Sequence, residues 1–287
     1  MALSARREWP LVAFTLLSQT AVGALWTVAA AAALSESARG WHSRYLTFPA
    51  LSSIVATLGV AAAISVFHLG KPGRAGLALK NIGRSWLSRE ILSELVLMAS
   101  AGLLGSFVLL GIYSPSLMRL TLAIAVVASL LLLLSMSRLY MLATVPAWRS
   151  AHTPLSFLGS ALLLGPLAIA SFPRQILDAG RETAAFQRGA AVASLAGIVL
   201  IVLTALLFGP GIGFFRAKKA ALREFPVSKT YPILALRLFF LLAAIVLLVL
   251  FDRTESIRFL RLALACALSG EIGGRCLFYV VYSRIGV

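Results

Sequence analysis

Residues 117–142, LMRLTLAIAVVASLLLLLSMSRLYML, carry charge only at Arg119 and Arg138, near the two ends of the stretch. An α-helix needs about 20 mainly apolar residues to cross the hydrocarbon core of a bilayer. This stretch therefore reads as a membrane span. Seven others of the same kind accompany it, giving spans at roughly 10–34, 45–69, 90–112, 117–142, 154–172, 189–209, 232–251 and 258–282. The connections between them are short, with the longest and most basic between spans 2 and 3 and between spans 6 and 7. The expected fold is all-α: a polytopic integral membrane protein of eight transmembrane helices, arranged as two four-helix bundles. Residues 1–287 form a single membrane domain with no repeat or appended soluble unit.

Composition excludes the main alternatives. Hydrophobic residues make up 60% of the 287 positions and charged residues 13%, against about 45–50% and about 25% in soluble domains. One water-soluble core of this size cannot bury so much apolar surface, so a soluble enzyme is excluded. A disordered chain and a disulfide scaffold are excluded with it. The net charge of +16 would suggest nucleic acid in a soluble protein, but here the basic residues fall between apolar runs, where they meet lipid headgroups and set topology. No basic patch is left for nucleic acid. The first span is too long for a signal peptide and opens with Glu8-Trp9-Pro10.

With eight spans, both termini share one face with the 2/3, 4/5 and 6/7 loops. That face collects fourteen Lys and Arg residues, among them Lys71, Arg74, Arg84, Arg89, Arg149 and Lys218. The opposite face collects nine, including Arg39, Arg174, Arg188 and Arg261. Positive-inside counting makes the termini-bearing face cytoplasmic. The two cysteines, Cys266 and Cys276, both lie in the last span. They are too few for an iron–sulfur cluster or a structural zinc site, so no metal site is expected.

Ionisable residues inside a membrane are functional candidates by default. Here they are Glu90, Glu94, Arg138, Arg237, Glu271 and Arg275, with His68 closing span 2. His68 and Glu90 fall at the same depth on consecutive antiparallel helices. A hydroquinone must lose two protons as it gives up two electrons, so its site needs a hydrogen-bonding proton acceptor beside an apolar slot. An imidazole and a carboxylate at the headgroup boundary supply that. Each has a plainer reading too: His68 as an interfacial helix cap, Glu90 as an acidic residue favoured by a helix N-terminus. Glu94, one turn on, extends a proton path or, as the better reading, pairs with an arginine from another helix. Arg138 pairs with Glu94 or reaches out to the interface. Glu271 and Arg275 stand in the favourable i, i+4 order and are expected to neutralise one another. His42 and His152 are read as loop residues, which argues against a bis-histidine haem.

Four segments resemble a known family. They are Glu8-Trp9-Pro10-Leu11 with Gln19; His68-Leu69-Gly70-x-Pro72-x-Arg74-Ala75 continuing to Asn81 and Ser88-x-Glu90; Thr144-Val145-Pro146-x-Trp148-x-Ser150-x-x-Thr153-Pro154 with Gly165-Pro166-Leu167; and Gly270-Glu271-x-x-Gly274-Arg275-x-x-Phe278-Tyr279. On these residues the protein is similar to the membrane anchor subunit of dimethyl sulfoxide reductase, among the quinol-interacting subunits of molybdopterin oxidoreductases. The resemblance implies eight helices and no permanently bound prosthetic group. It implies partners in a four-cluster iron–sulfur subunit and a molybdopterin catalytic subunit, and exchange with a menaquinone or ubiquinone pool in a bacterial inner membrane. The protein would be the non-catalytic subunit that carries the complex's quinol site, serving anaerobic electron transport. The family's quinol site maps onto His68 and Glu90, with Arg74 close by and Trp148 on the same face. Glu90 is expected to accept a proton, His68 to hydrogen-bond the quinol oxygen, and Arg74 to orient. The alternatives are an anchor that passes electrons from sulfite into quinone and, from another class, a proton-coupled transporter lined by Glu90, Glu94, Glu271 and Arg275. Against the transporter, the spans show no internal symmetry of the kind transporters carry.

Overall fold

In hydrocarbon every backbone polar group needs an internal partner, which a helix provides within its own segment. The apolar stretches accordingly fold as helices throughout. The computed structural model describes residues 2–34, 47–66, 79–142, 148–172, 182–208 and 227–280. Among these residues there are eight α-helices and no strand: α1 (Ala2–Leu34), α2 (Phe48–Val66), α3 (Trp86–Leu109), α4 (Pro115–Tyr140), α5 (His152–Ala170), α6 (Glu182–Phe208), α7 (Val227–Thr254) and α8 (Ile257–Val280). Each holds a segment long and apolar enough to cross a membrane. The protein is a multi-pass membrane protein, and the spans read from sequence match these segments to within a few residues at each end.

Local chemistry sets the ends that matter for the site. Ser85 caps α3, its side chain accepting the Ser88 amide at 3.3 Å. At the other end Gly111 takes φ 68. The amides of Ile112 and Gly111 return to the carbonyls of Phe107 and Val108 at 2.8 and 3.3 Å, the double closure that a left-handed residue after a helix allows. Pro115 then starts α4 without breaking a helical hydrogen bond. The α3–α4 hairpin is thereby tight, and the start of α3 lies beside the end of α4.

α5 lies at the centre, packed on α1, α4, α6 and α8. Within its span 72% of the residues are buried, against 17% in α7, whose Leu236, Phe239, Leu242 and Val246 are exposed and face lipid. Buried side chains gather in two clusters. One joins α1 to α4 with Trp148, Phe157 and Tyr279; the other joins α5 to α8 with Leu16. Lipid tails are as apolar as leucine, so helices here are held by close packing rather than by escape from water. At the α1–α5 crossing a Cβ added to Gly23 would fall 1.9 Å from the Ala161 carbonyl oxygen, and one added to Gly165 2.1 Å from the Gly23 carbonyl carbon. Only glycine permits that approach. It brings Gln19 and Ser160 near each other, and the polar interior depends on this.

Candidate functional site

Arg89 fixes which side of α3 faces inward. Its Nε donates to the Ile82 carbonyl at 2.9 Å and its Nη2 to the Gly83 carbonyl at 2.8 Å, with the guanidinium 4.3 Å over the Trp86 ring. With Arg89 held on the outside, its neighbour Glu90 turns in and is 2% exposed. The first turn of α3 contains no acidic residue, so Glu90 lies beyond the reach in which a helix N-terminus favours a carboxylate. Its Oε1 is buried with no hydrogen-bond partner among the described residues. Glu94, one turn further and also buried, receives the Ser18 hydroxyl at 3.5 Å, and the two carboxyls are within electrostatic reach of each other.

The arginine expected to pair with Glu94 is not found among the described residues. Arg138 is exposed and lies 5.9 Å from the Trp86 ring centroid, the interfacial position that a long cationic side chain adopts when it escapes the membrane interior.

The end of α4, the start of α5 and the end of α8 meet in an aromatic cluster. Tyr140, the last residue of α4, accepts the Tyr279 hydroxyl at 2.6 Å. The Tyr140 ring stands edge-on to Trp148, Phe157, Phe278 and Tyr279. Trp148 stacks on Phe278 at 4.9 Å with the planes 4° apart, and its indole N–H donates to the Phe278 carbonyl at 2.9 Å. Tyr140 interacts electrostatically with Glu90 on one side and Arg275 on the other.

Beyond Tyr140 lies a second polar group, and here one expectation is corrected. Glu271 forms its ion pair with Arg237 of α7, at 2.9 Å, rather than with Arg275. The Ser160 hydroxyl donates to Glu271 Oε2 and accepts from Arg275 Nη2 at 3.1 Å; Arg275 Nη2 also reaches Gln19 Oε1 at 2.5 Å. Gln19 Nε2 meets the Met136 sulfur at 3.4 Å, and the Arg275 guanidinium sits 4.1 Å from the Phe157 ring centre. The physical reason is room. A Cβ at Gly274 would fall 2.6 Å from the Arg237 guanidinium carbon, so the bare glycine of α8 lets the α7 arginine lie across it. Arg275 remains within electrostatic reach of Glu271, but its hydrogen bonds serve α1 and α5. One network thus ties α1, α4, α5, α7 and α8.

Of the residues singled out in the sequence, the structure places Glu90 and Trp148 at the same end of the molecule. His68, Arg74 and His42 lie outside the described residues. His152 is no loop residue: it is the first residue of α5, 9% exposed, within electrostatic reach of Arg237, Arg275 and Glu271, and its Nδ1 has no hydrogen-bond partner among the described residues. Tyr140, Ser160 and the role of Arg237 escaped the sequence reading. A hydroxyl in an apolar helix is no signal by itself, because it can bond its own backbone, as Ser160 also does to Ser156. A cavity of about 610 Å³ between α1, α5 and α6 lies toward the opposite end of the molecule, bordered by Trp26, Leu34, Pro166 and Phe186 and, among the described residues, by no titratable side chain.

The sequence matches the family model described as DMSO reductase anchor subunit (DmsC) over residues 3–281. It is 32% identical over 286 residues to the YnfH subunit of the anaerobic dimethyl sulfoxide reductase of Escherichia coli strain K12, covering 98% of this protein and 96% of that one. It is 29% identical over 280 residues to the C subunit of the anaerobic dimethyl sulfoxide reductase of Haemophilus influenzae, with the same shares covered. To the C subunit of the Escherichia coli enzyme it is 32% identical over 161 residues, 56% of this protein and 55% of that one. The protein belongs to the DMSO reductase anchor subunit family.

Proposed function

We propose that this member of the anchor family binds menaquinol or another quinol at the end of the molecule where α3 begins, and passes its electrons to an iron–sulfur subunit. That subunit, docked on the termini-bearing face, would wire it to a molybdopterin catalytic subunit. The setting is a bacterial inner membrane, with that face cytoplasmic by its excess of basic residues. Oxidising a quinol releases two electrons and two protons. The electrons leave to the partner's cluster, while Glu90 takes a proton at its free Oε1 and His68 receives the quinol's other hydroxyl. Arg74 orients the head group, and Trp148, braced by Phe278, forms part of the apolar wall.

The observation that carries this reading is Glu90. A carboxyl 2% exposed, inside a membrane span, with an oxygen that no other group among the described residues engages, is costly to keep. Such a group is expected to serve a ligand that comes and goes. Glu90→Gln keeps the shape and removes the proton acceptor. In the assembled complex it should leave subunit composition and reduction by artificial donors intact while quinol-dependent reduction falls by roughly 100-fold. Normal quinol turnover in that variant would remove Glu90 from the mechanism.

A further inference from the structure

Among the described residues three carboxyls are buried inside membrane spans, and two of the three, Glu90 and Glu94, form no ion pair. A buried carboxyl kept without a cation is costly, and the reading above gives work only to Glu90. The buried positions of α3 include Glu90, Ser93, Glu94, Leu97, Ala101 and Leu104, the helical period of one inward face. Both carboxyls therefore project to the same side, with β-carbons about 5–6 Å apart. Each carboxyl carbon stands two bonds beyond its β-carbon, which is reach enough for the two groups to meet. Glu94 is held loosely where it is. Its hydrogen bond among the described residues comes from the Ser18 hydroxyl at 3.5 Å, longer than the ~2.5–3.0 Å of a firm O–H···O bond. A hydroxyl gives to a carboxylate and receives from a carboxylic acid, so Ser18 can serve Glu94 with or without a proton. A guanidinium, such as the one Arg237 presents to Glu271, can only give.

We propose that Glu94 is the inner proton acceptor of the quinol site: the proton that enters at Glu90 passes to Glu94, and Glu90 is left open for the next. A quinol sheds two protons, while Glu90 offers one free oxygen. In each passage a quinol O–H bond breaks, its proton goes to Glu90, and its electron goes to the partner's iron–sulfur cluster. The new O–H bond on Glu90 then breaks as one forms on Glu94, with Ser18 turning from donor to acceptor. Glu90 is the entry point and Glu94, one turn deeper, the store. The proposal rests on the reading of Glu90 as the quinol's proton acceptor, and adds to it a second carboxyl and a direction.

Infrared difference spectra of the assembled complex in lipid nanodiscs, menaquinol-reduced minus oxidised, test this directly. Wild type should show two carboxyl bands, one missing in Glu90→Gln and the other missing in Glu94→Gln. Ser18→Ala, which deletes only the hydroxyl, should displace the Glu94 band and leave the Glu90 band in place. Glu94→Gln should lower quinol-dependent turnover by roughly tenfold with subunit composition unchanged, a smaller loss than at Glu90, which still takes the first proton. Glu94→Asp keeps a carboxyl and should recover most of that loss. A Glu94→Gln spectrum identical to wild type, while Glu90→Gln lacks a band and is inactive, overturns the proposal and leaves Glu90 in its role. Turnover lost in Glu94→Gln with no band lost makes Glu94 a structural residue and overturns it equally. Normal turnover in Glu90→Gln removes the underlying quinol reading instead.

Discussion

Two glutamates in this membrane protein are equally buried and differently served. Glu271 and Glu90 are each 2% exposed. Glu271 receives an Arg237 guanidinium and the Ser160 hydroxyl, and through Ser160 it is tied to Arg275 and Gln19. Among the described residues Glu90 has one oxygen that nothing engages, and the charged group within its electrostatic reach is another carboxyl, Glu94. Burial alone therefore does not identify a chemical site. A buried charge that is paired and hydrogen-bonded holds helices in register, whereas one left open is available to something outside the protein.

The largest expected effect breaks the first member of this comparison. Glu271→Leu strands Arg237 and removes one of the groups on Ser160, and should cost ~3–5 kcal/mol of stability, read as a fall in membrane accumulation and in the thermal midpoint in detergent. The double variant Glu271→Leu with Arg237→Leu should recover most of that loss, since a buried pair exchanged for apolar side chains is close to neutral. A single variant as stable as wild type would show the network to be decoration.

Glu90→Gln is the matched change in the second member. It should alter the thermal midpoint by less than about 1 kcal/mol equivalent, because no partner is left stranded, while quinol turnover in the complex collapses. A Glu90→Gln protein that accumulates as poorly as Glu271→Leu would erase the distinction between the two carboxyls.

Gly165→Ala probes the scaffold under one site and not the other. The new methyl would fall 2.1 Å from the Gly23 carbonyl carbon, so α1 and α5 must part, and Gln19 on α1 with Ser160 on α5 part with them. Overpacking of this kind costs about 1–3 kcal/mol. The loss should appear in thermal stability, while the Glu90 environment, built on α3 and α4, keeps its infrared band. A shifted Glu90 band would show the two sites to be mechanically joined.

What the sequence could and could not tell follows from the same physics. The spans were legible because 20 apolar residues in a row have one stable form in a bilayer. Glu90 stood out in the sequence because a carboxylate inside such a run is costly, and the structure adds that it is buried. The partner of Glu271 was not legible. The i, i+4 spacing pointed to Arg275, but which helices touch is not written in hydropathy, and the true partner lies 34 positions back on α7, admitted by the missing side chain of Gly274. Tyr140 was hidden for a related reason. At the end of an apolar helix a tyrosine suits the headgroup boundary, and only the packing of α4 against α5 and α8 shows it at the centre of an aromatic cluster.

An ion pair of the same chemistry on the surface supplies the smallest expected effect. Arg188 of α6 reaches Glu255 at 2.5 Å and Asp252 at 3.7 Å, joining the start of α6 to the turn between α7 and α8. Its partners' side chains are 47% and 65% exposed and its own is 51% exposed, where those of Arg237 and Glu271 are 11% and 3% exposed. Water solvates the separated charges nearly as well as they solvate each other, so Arg188→Ala should cost less than about 1 kcal/mol, and that should shrink further in high salt. The buried pair should be indifferent to salt. A large, salt-resistant loss at Arg188 would mean that geometry alone, without burial, suffices to hold these helices, and the contrast drawn between Glu271 and the open carboxyl of Glu90 would lose its physical basis.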